Sequence, residues 1–450
     1  MSCVLVFDLG TTYFKAALFD DQGDLHALAR RRTPYTTHHD ERREIDPARF
    51  DDAIDRLAHD LQDASPEAYE HIQAVSFSSQ ANSLLLLGPA GRPLTPIVVW
   101  NDPRGLRDGI GAAALSGLPD RYERTGVPVV SHQLAALRLR WLRSHDPDSW
   151  ASARRFCLIS EYLTFRLTGE HVSEPSLASL TGLLDVRYRQ WWPPAAEAVD
   201  VPRQWLAELI DPGRVVAPLT PAAKQRLGLS GDVAMVMGCL DQYAGAIAAG
   251  NVSPGRVSET TGTVLAVVSC HDRFDPALEQ RGIWQGPTAR HGLYYRMAFS
   301  EVSANTLDAF RESNAPDQSI GDLIDQAAEL DANPPSVRLN LEATAASGRP
   351  VFDREPVPKA EGVYAIMQAV AERLTDHLEA LRTEQPTSDV ICLGGGAKSA
   401  FWRRLKERAS GVPMRALPTE EPTCRGAAVC AVAGLTHRPV HEVAAAWSAP

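Results

Sequence analysis

The first twenty residues constrain the fold more than any other stretch. Four apolar residues, Val4-Leu5-Val6-Phe7, are cut off by Asp8-Leu9-Gly10-Thr11-Thr12, and a second apolar run, residues 13–19, begins at once. Two strand-like runs around a tight polar turn predict a β-hairpin. A third run, residues 25–29, follows the turn Asp20-Asp21-Gln22-Gly23 and extends the hairpin to a meander. The turn itself is chemically loaded. Gly10 lets the backbone come close to a ligand, and successive N–H groups in such a turn form an anion-binding nest. Thr11 and Thr12 add donors, and Lys15 adds a positive charge on the next strand. Asp8 repels a bare phosphate but suits one approached through Mg²⁺. Taken alone, a plain hairpin turn accounts for these residues equally well.

The same device recurs in residues 256–269, where Thr260-Thr261-Gly262-Thr263 interrupts two strand-like runs. A chain of 450 residues is too long for one core. Two distant matching hairpins therefore predict two similar α/β lobes facing one site, residues 1–245 and 246–450. Apolar residues Ile54, Leu57, Ala58 and Leu61 have helical spacing within residues 51–62. Helical patterns return over 133–167 and 361–381, the stretch before Gly169 closing on a glycine cap.

Composition excludes several classes. The net charge of −11 argues against a nucleic-acid binder. One basic cluster, residues 30–43, is interleaved with acids, Pro and Thr, and reads as a solvated loop. No apolar run approaches the roughly 20 residues needed to cross a bilayer, and the opening apolar run is too short for a secretory signal. A cytoplasmic protein without membrane or nucleic-acid partners is expected. The seven cysteines form no CxxC pair and sit in apolar contexts, so buried thiols are expected rather than disulfides or a zinc site.

Three further constellations carry chemistry. Gly394-Gly395-Gly396-Ala397-Lys398 ends a strand-like run and precedes a helical one, a place for a phosphate or a nucleotide sugar, or merely a tight turn. Asp241 ends an apolar run, where a carboxylate either accepts a proton from a hydroxyl or caps a helix. Gln80, Asn82, Trp100, Asp102 and Arg104 gather near the ends of two strand-like runs. Amide, carboxylate and guanidinium groups beside an indole suit a polyhydroxylated ligand, although each one singly reads as a loop residue.

The combination DLGTTYFKAALFD, VSFSSQ, VVWNDPR, LTGE, GCLDQYAGAIAAGNVSPG, TTGT, LGGGAKSAFW and CRGAAVCA, in that order, resembles the FGGY family of carbohydrate kinases, nearest to its xylulose-type members. The resemblance spans nearly the whole chain. It implies the actin-like ATPase fold, with two ribonuclease H-like lobes around a central cleft, and ATP with Mg²⁺ as cofactors. By position it gives Asp8 to the metal and Asp241 to the role of catalytic base. It gives Gly10, Thr11, Thr12, Lys15, Gly262 and Thr263 to phosphate, and Gly395, Gly396, Ala397 and Lys398 to the adenosine half. It gives Gln80, Ala81, Asn82, Trp100, Asp102, Arg104 and Gln242 to the sugar, with His132 near the same pocket. Val264 stands where the family's second turn carries a hydroxyl, and Arg138 where a Lys is more usual. Residues 331–358 form a short region that lacks a Gly-Glu-Arg element. Xylulose-type kinases carry Gln-Met-His where this chain has Gln80-Ala81-Asn82. A ketopentose such as xylulose or ribulose is the first substrate expected, followed by a polyol or a seven-carbon ketose. A sugar-independent ATPase or a silent sugar-binding regulator of the same fold is the alternative of another class; the regulator is disfavoured by the presence of both Asp8 and Asp241. A homodimer is admitted as an assembly, with no sequence feature that demands it.

Overall fold

The computed structural model describes residues 2–39, 41–107, 109–381 and 387–448. The chain divides into two compact units. The first comprises residues 1–252, 271–295 and 423–450, and the second 253–270 and 296–422. The division is thus not a single cut: two later segments return to the first unit.

In the first unit, β1 (Cys3–Leu9), β2 (Tyr13–Asp20) and β3 (Leu25–Arg32) form the expected antiparallel meander. On its other edge β1 runs parallel to β4 (Ile72–Ser79), which pairs in parallel with β5 (Ala234–Val236) and β6 (Cys239–Leu240). Every residue of β1 is buried, as a strand covered on both faces requires. Helix α1 (Pro47–Ala64) begins after Asp46, whose carboxylate accepts from the N–H groups of Ala48 and Arg49. Its apolar stripe of Phe50, Ile54, Leu57 and Leu61 is buried, and the Phe50 ring meets Phe14 of β2 edge-on at 5.7 Å. Such a pair adds about 0.5–1.5 kcal/mol to its area burial.

The basic cluster is only in part a loop. Arg30, Arg31 and Arg32 end β3, and short strands Tyr35–Thr37 and Arg43–Ile45 follow, with Arg42 outside both. Alternation accounts for this: Arg30 and Arg32 share one face of β3 and lie over the Tyr13 ring, each at 5.6 Å.

The second unit repeats the plan. Strands β7 (Val257–Thr261) and β8 (Leu265–His271) are antiparallel, and β7 runs parallel to β9 (Val390–Leu393), itself parallel to β10 (Met414–Ala416). Helix α5 (Lys359–Leu381) buries Val363, Ile366, Met367, Val370, Leu374 and Leu378. An antiparallel hairpin flanked by parallel strands, present in each unit, is the ribonuclease H-like pattern, and the fold class is α/β of the actin-like ATPase type.

All seven cysteines are buried thiols outside any disulfide. Among the described residues no helix is long and apolar enough to cross a membrane.

Candidate active site

In the first unit the site grows from the ends of three strands. Asp8 on β1 registers opposite Lys15 of β2 and Ser78 of β4. Cys239 of β6 pairs beside Ser78, and two residues later Asp241 opens helix α4 (Asp241–Ala248). Gly238 allows that approach, since a Cβ there would fall 1.7 Å from the Phe77 carbonyl oxygen. Ends of neighbouring parallel strands are where α/β sheets hold ligands.

Asp8 is buried. Ser78 Oγ donates to its Oδ1 at 2.7 Å and Thr423 Oγ1 to its Oδ2 at 3.1 Å, while Lys15 Nζ stands 3.6 Å from Oδ2. Asp241 is half-buried and its Oδ1 accepts from the Gln242 N–H at 2.6 Å. Burial, and then the charge of Asp8, push the Asp241 carboxyl up to about 7, against the pull of that N–H. Two carboxyl groups close enough to feel one another mark a place where excess negative charge is held ready.

The turn after β1 is braced from both sides. Gly10 O accepts from Thr33 Oγ1 at 2.9 Å and from Gln80 Nε2 at 3.3 Å. The Trp100 indole N–H donates to Thr11 Oγ1 at 2.8 Å, which leaves the Thr11 proton to donate elsewhere. Thr12 is exposed.

The residues expected to contact sugar divide into two groups. Gln80, Ser83 and Trp100 form a chain: Ser83 Oγ donates to Gln80 Oε1 at 3.0 Å and accepts from the Trp100 N–H at 3.0 Å. Beside Trp100, the Asn101 Oδ1 is buried with no hydrogen-bond partner. Ala81 is half-buried. Asn82 takes a left-handed conformation with φ 66°, and its Oδ1 accepts from the Ala135 N–H at 3.1 Å. Asp102 and Arg104 instead satisfy each other. Both oxygens of Asp102 take bonds from Arg104 Nε and Nη2 at 2.8 Å, and further ones from the N–H groups of Arg104 and Arg43. Arg104 also reaches Glu44 Oε1 at 2.8 Å. Despite burial, these donors hold the Asp102 carboxyl below its usual range. In this arrangement the pair shapes the loop rather than offering free ligand groups.

Sequence reasoning noted Arg138 without giving it a role, and missed other supports. Arg138, on helix α2 (Ala135–His145), is buried and donates from Nη1 to the carbonyls of Trp100 (2.8 Å) and His132 (2.6 Å), and from Nη2 to those of Asn82 (2.7 Å) and Gln133 (2.9 Å). Burial draws it down to about 9, which leaves it protonated at neutral pH. Glu174, also buried, accepts from the N–H groups of Ser176 and Leu177 and from the Ser176 hydroxyl. Ser176 Oγ in turn accepts from the Leu240 N–H at 3.2 Å, immediately before Asp241. The hydroxyls inside the otherwise apolar stretch Val75-Ser76-Phe77-Ser78 were a visible signal for Ser78. Thr423, 415 positions from Asp8, had none.

In the second unit, the turn after β7 is closed by the Gly262 N–H donating to Val264 O at 3.2 Å, with Thr263 exposed. The glycine run after β9 forms a single 3₁₀ turn, Gly395–Lys398, before helix α6 (Ala400–Ser410). Gly396 lies so close to Thr261 that a Cβ would stand 2.7 Å from the threonine Cβ. A cavity of about 300 Å³ opens beside this turn, lined in part by Gly394, Ala397, Lys398 and Arg403. Beneath, Lys406 Nζ meets Glu259 Oε1 and Thr261 Oγ1, both at 2.6 Å, with Lys406 and Glu259 fully buried.

The chain matches the model of the FGGY family of carbohydrate kinases, N-terminal domain, over residues 3–248, and that of the C-terminal domain over residues 352–435. It is 26% identical to a xylulose kinase of Escherichia coli, covering 90% of this chain and 84% of that protein. It is 22% identical to a gluconokinase of Bacillus subtilis, covering 95% and 86%. A ligand-bound xylulose kinase from Lactobacillus acidophilus superposes with a TM-score of 0.87 at 23% identity, over 98% of this chain and 91% of that one. The chain belongs to the FGGY family of carbohydrate kinases. Its activity is that of a sugar kinase, a phosphotransferase with an alcohol group as acceptor.

Proposed function

We propose that the protein transfers the γ-phosphate of ATP to a hydroxyl of a small sugar, with a ketopentose such as xylulose or ribulose as first choice. The observation that carries this reading is the placement of Asp241, which opens α4 directly after β6, the strand that pairs beside the Ser78 bonded to Asp8; burial and the charge of Asp8 push its carboxyl up to about 7. A group poised there accepts the proton of an attacking hydroxyl near neutral pH. Phosphoryl transfer otherwise asks mostly for positioning and charge stabilisation. Gly10, Thr11 and Thr12, with Lys15, and in the second unit Gly262 and Thr263, hold phosphate oxygens. Gly395, Gly396, Ala397 and Lys398 hold the adenosine half.

The donor set suits Mg²⁺: Asp8 offers hard carboxylate oxygen, and a second carboxyl stands near enough to be perturbed by it. A divalent cation bound by Asp8 would neutralise charge on the phosphates. Ser78 and Thr423 fix the Asp8 carboxylate by donating to its two oxygens.

For the sugar, Gln80, Ala81, Trp100 and Gln242 remain the proposed contacts. The buried, unpartnered Asn101 Oδ1 adds an acceptor suited to a hydroxyl donor. Asn82, Asp102, Arg104 and His132 are assigned to the shape of the pocket. Xylulose kinases among the relatives support the ketopentose, and a gluconokinase among them makes gluconate the competing acceptor; a polyol or a seven-carbon ketose stands behind these.

The test is a coupled ADP-release assay with MgATP across ketopentoses, gluconate, polyols and seven-carbon ketoses, run beside Asp241→Asn. One acceptor should raise turnover far above the sugar-free rate, and the variant should lose roughly 10²-fold or more. A sugar-independent rate, or an Asp241→Asn variant of near-normal turnover, overturns the reading.

A further inference from the structure

Away from the kinase site, the segment between strand Arg155–Leu158 and strand Val172–Ser173 gathers three side chains of metal-ligating type. Cys157 lies in the first strand, Glu161 in the first turn of helix α3 (Ile159–Thr168), and His171 just before the second strand. One donor atom from each, the Cys157 Sγ, a Glu161 carboxylate oxygen and a His171 ring nitrogen, lies within 4.8 Å of the other two. Cys157 and Glu161 are buried, at 0% and 2% exposure.

Each group is prepared in its own way. Glu161 uses Oε2 to accept from the Leu158 N–H at 2.9 Å, while its Oε1 is buried and, although the Ser173 hydroxyl lies near, neither of the two atoms is in a formed hydrogen bond. Leaving a carboxylate oxygen in the interior without a donor is costly, and a cation would answer it. His171 Nε2 stands 3.0 Å from the Phe156 carbonyl, an acceptor, so Nε2 carries the proton and Nδ1 keeps a lone pair. A ring N–H held by a backbone carbonyl is the support a metal-bound histidine uses. Burial lowers the His171 pKa, keeping the ring neutral as a ligand must be. Burial pushes Glu161 up to about 7, against the Ser173 hydroxyl and the Leu158 N–H, and pushes the Cys157 thiol well up, with Arg155 pulling the other way.

We propose that Cys157, Glu161 and His171 form a structural Zn²⁺ site. Zinc takes sulfur, nitrogen and oxygen together, with bonds of about 2.0–2.3 Å and donors about 3.5 Å apart in a tetrahedron. Three donors already within 4.8 Å need side-chain shifts of only about 1 Å. On binding, the Cys157 thiol and the Glu161 carboxyl release their protons to solvent, and thiolate plus carboxylate then balance the two charges of the cation. The fourth position falls to a water or a backbone oxygen. The spacing C-x₃-E-x₉-H belongs to no common zinc pattern, which is why the cysteines read as plain buried thiols.

The test is the metal content of the full-length protein, expressed with zinc supplied and passed through a weak chelator. About one zinc per chain is expected in the wild type. Cys157→Ser and His171→Gln should each weaken binding at least about tenfold, and Cys430→Ser should leave it unchanged. Protein produced with Co²⁺ should show a thiolate-to-cobalt charge-transfer band that Cys157→Ser abolishes. Wild-type protein that is zinc-free and lacks that band overturns the proposal, as does zinc that survives both ligand variants. Neither readout depends on kinase activity.

Discussion

Arg138 offers the sharpest test of how the proposed sugar side of the site is held. Its guanidinium bonds four main-chain carbonyls from three separate stretches, at Asn82, Trp100, His132 and Gln133. A lysine ammonium has three donors, so Arg138→Lys leaves at least one of these carbonyls unpaired. One unpaired buried group costs about 1–3 kcal/mol, or about 5- to 150-fold in a local opening equilibrium. Arg138→Met takes the guanidinium donors from all four and costs several kcal/mol more, offset in part because no charge is then buried. Hydrogen exchange read by mass spectrometry checks this locally. The Trp100 N–H bonds Ser83 Oγ and the Ala135 N–H bonds Asn82 Oδ1, so both report on the clamped loops. Peptides covering 81–83, 100–101 and 131–135 should exchange roughly tenfold faster in the Lys variant and faster still in the Met variant. The β7–β8 hairpin of the second unit should be unaffected. The KM for sugar should rise while that for ATP stays near normal. A Met variant whose loops exchange within about twofold of wild type would refute the reasoning, because the four bonds would then contribute nothing that water cannot replace.

Three further outcomes follow from the same geometry. Glu174 is raised from 4.5 to about 7 by burial. Between those values the folded chain holds a proton that the unfolded chain has lost, so stability falls as pH rises through the window, by up to about 3 kcal/mol. Glu174→Gln should flatten that part of the profile in urea unfolding between pH 5 and 8, and an unchanged slope would count against it. Lys406→Met removes the buried cation facing Glu259, which keeps the Thr261 hydroxyl as a donor, and should destabilise the second unit by about 3–5 kcal/mol, whereas Lys406→Met with Glu259→Leu should recover much of the loss; thermal melting of the three proteins decides. Gly396→Ala drives a methyl against the branched Thr261 side chain, so it should cost about 1–3 kcal/mol and weaken ADP binding, and an unaltered ADP affinity would argue against a nucleotide at that turn.

What could be read from the chain and what could not differ for a physical reason. The hairpin at Asp8 was legible because strand period and turn chemistry are local: an aspartate, a glycine and two threonines between apolar runs show both the turn and its polar lining within a dozen residues. The raised carboxyl of Asp241 was only half legible. Its position at a strand end could be read, but its pKa depends first on burial and then on Asp8, which lies far away in sequence and comes near only through β4 and β6. The groups that fix Asp8 show the same limit. Ser78 announced itself as a hydroxyl in an apolar strand, but Thr423 could not, because no local pattern says which sheet a late helix returns to. The return of residues 271–295 and 423–450 to the first unit is that question on a larger scale. Asp102 and Arg104 show the converse. Their residue types suggested ligand groups, yet a fully buried carboxylate must find donors, and an arginine two positions on supplies them most directly. A charged residue in a loop is therefore ambiguous until its burial is known, whereas a charged residue inside a strand–turn–strand device is far less so. That asymmetry is why Asp8 and Asp241 could be proposed for kinase chemistry before the fold was known, and why the choice of sugar, which we assign to the buried side chains of the 80–104 region, could not be read.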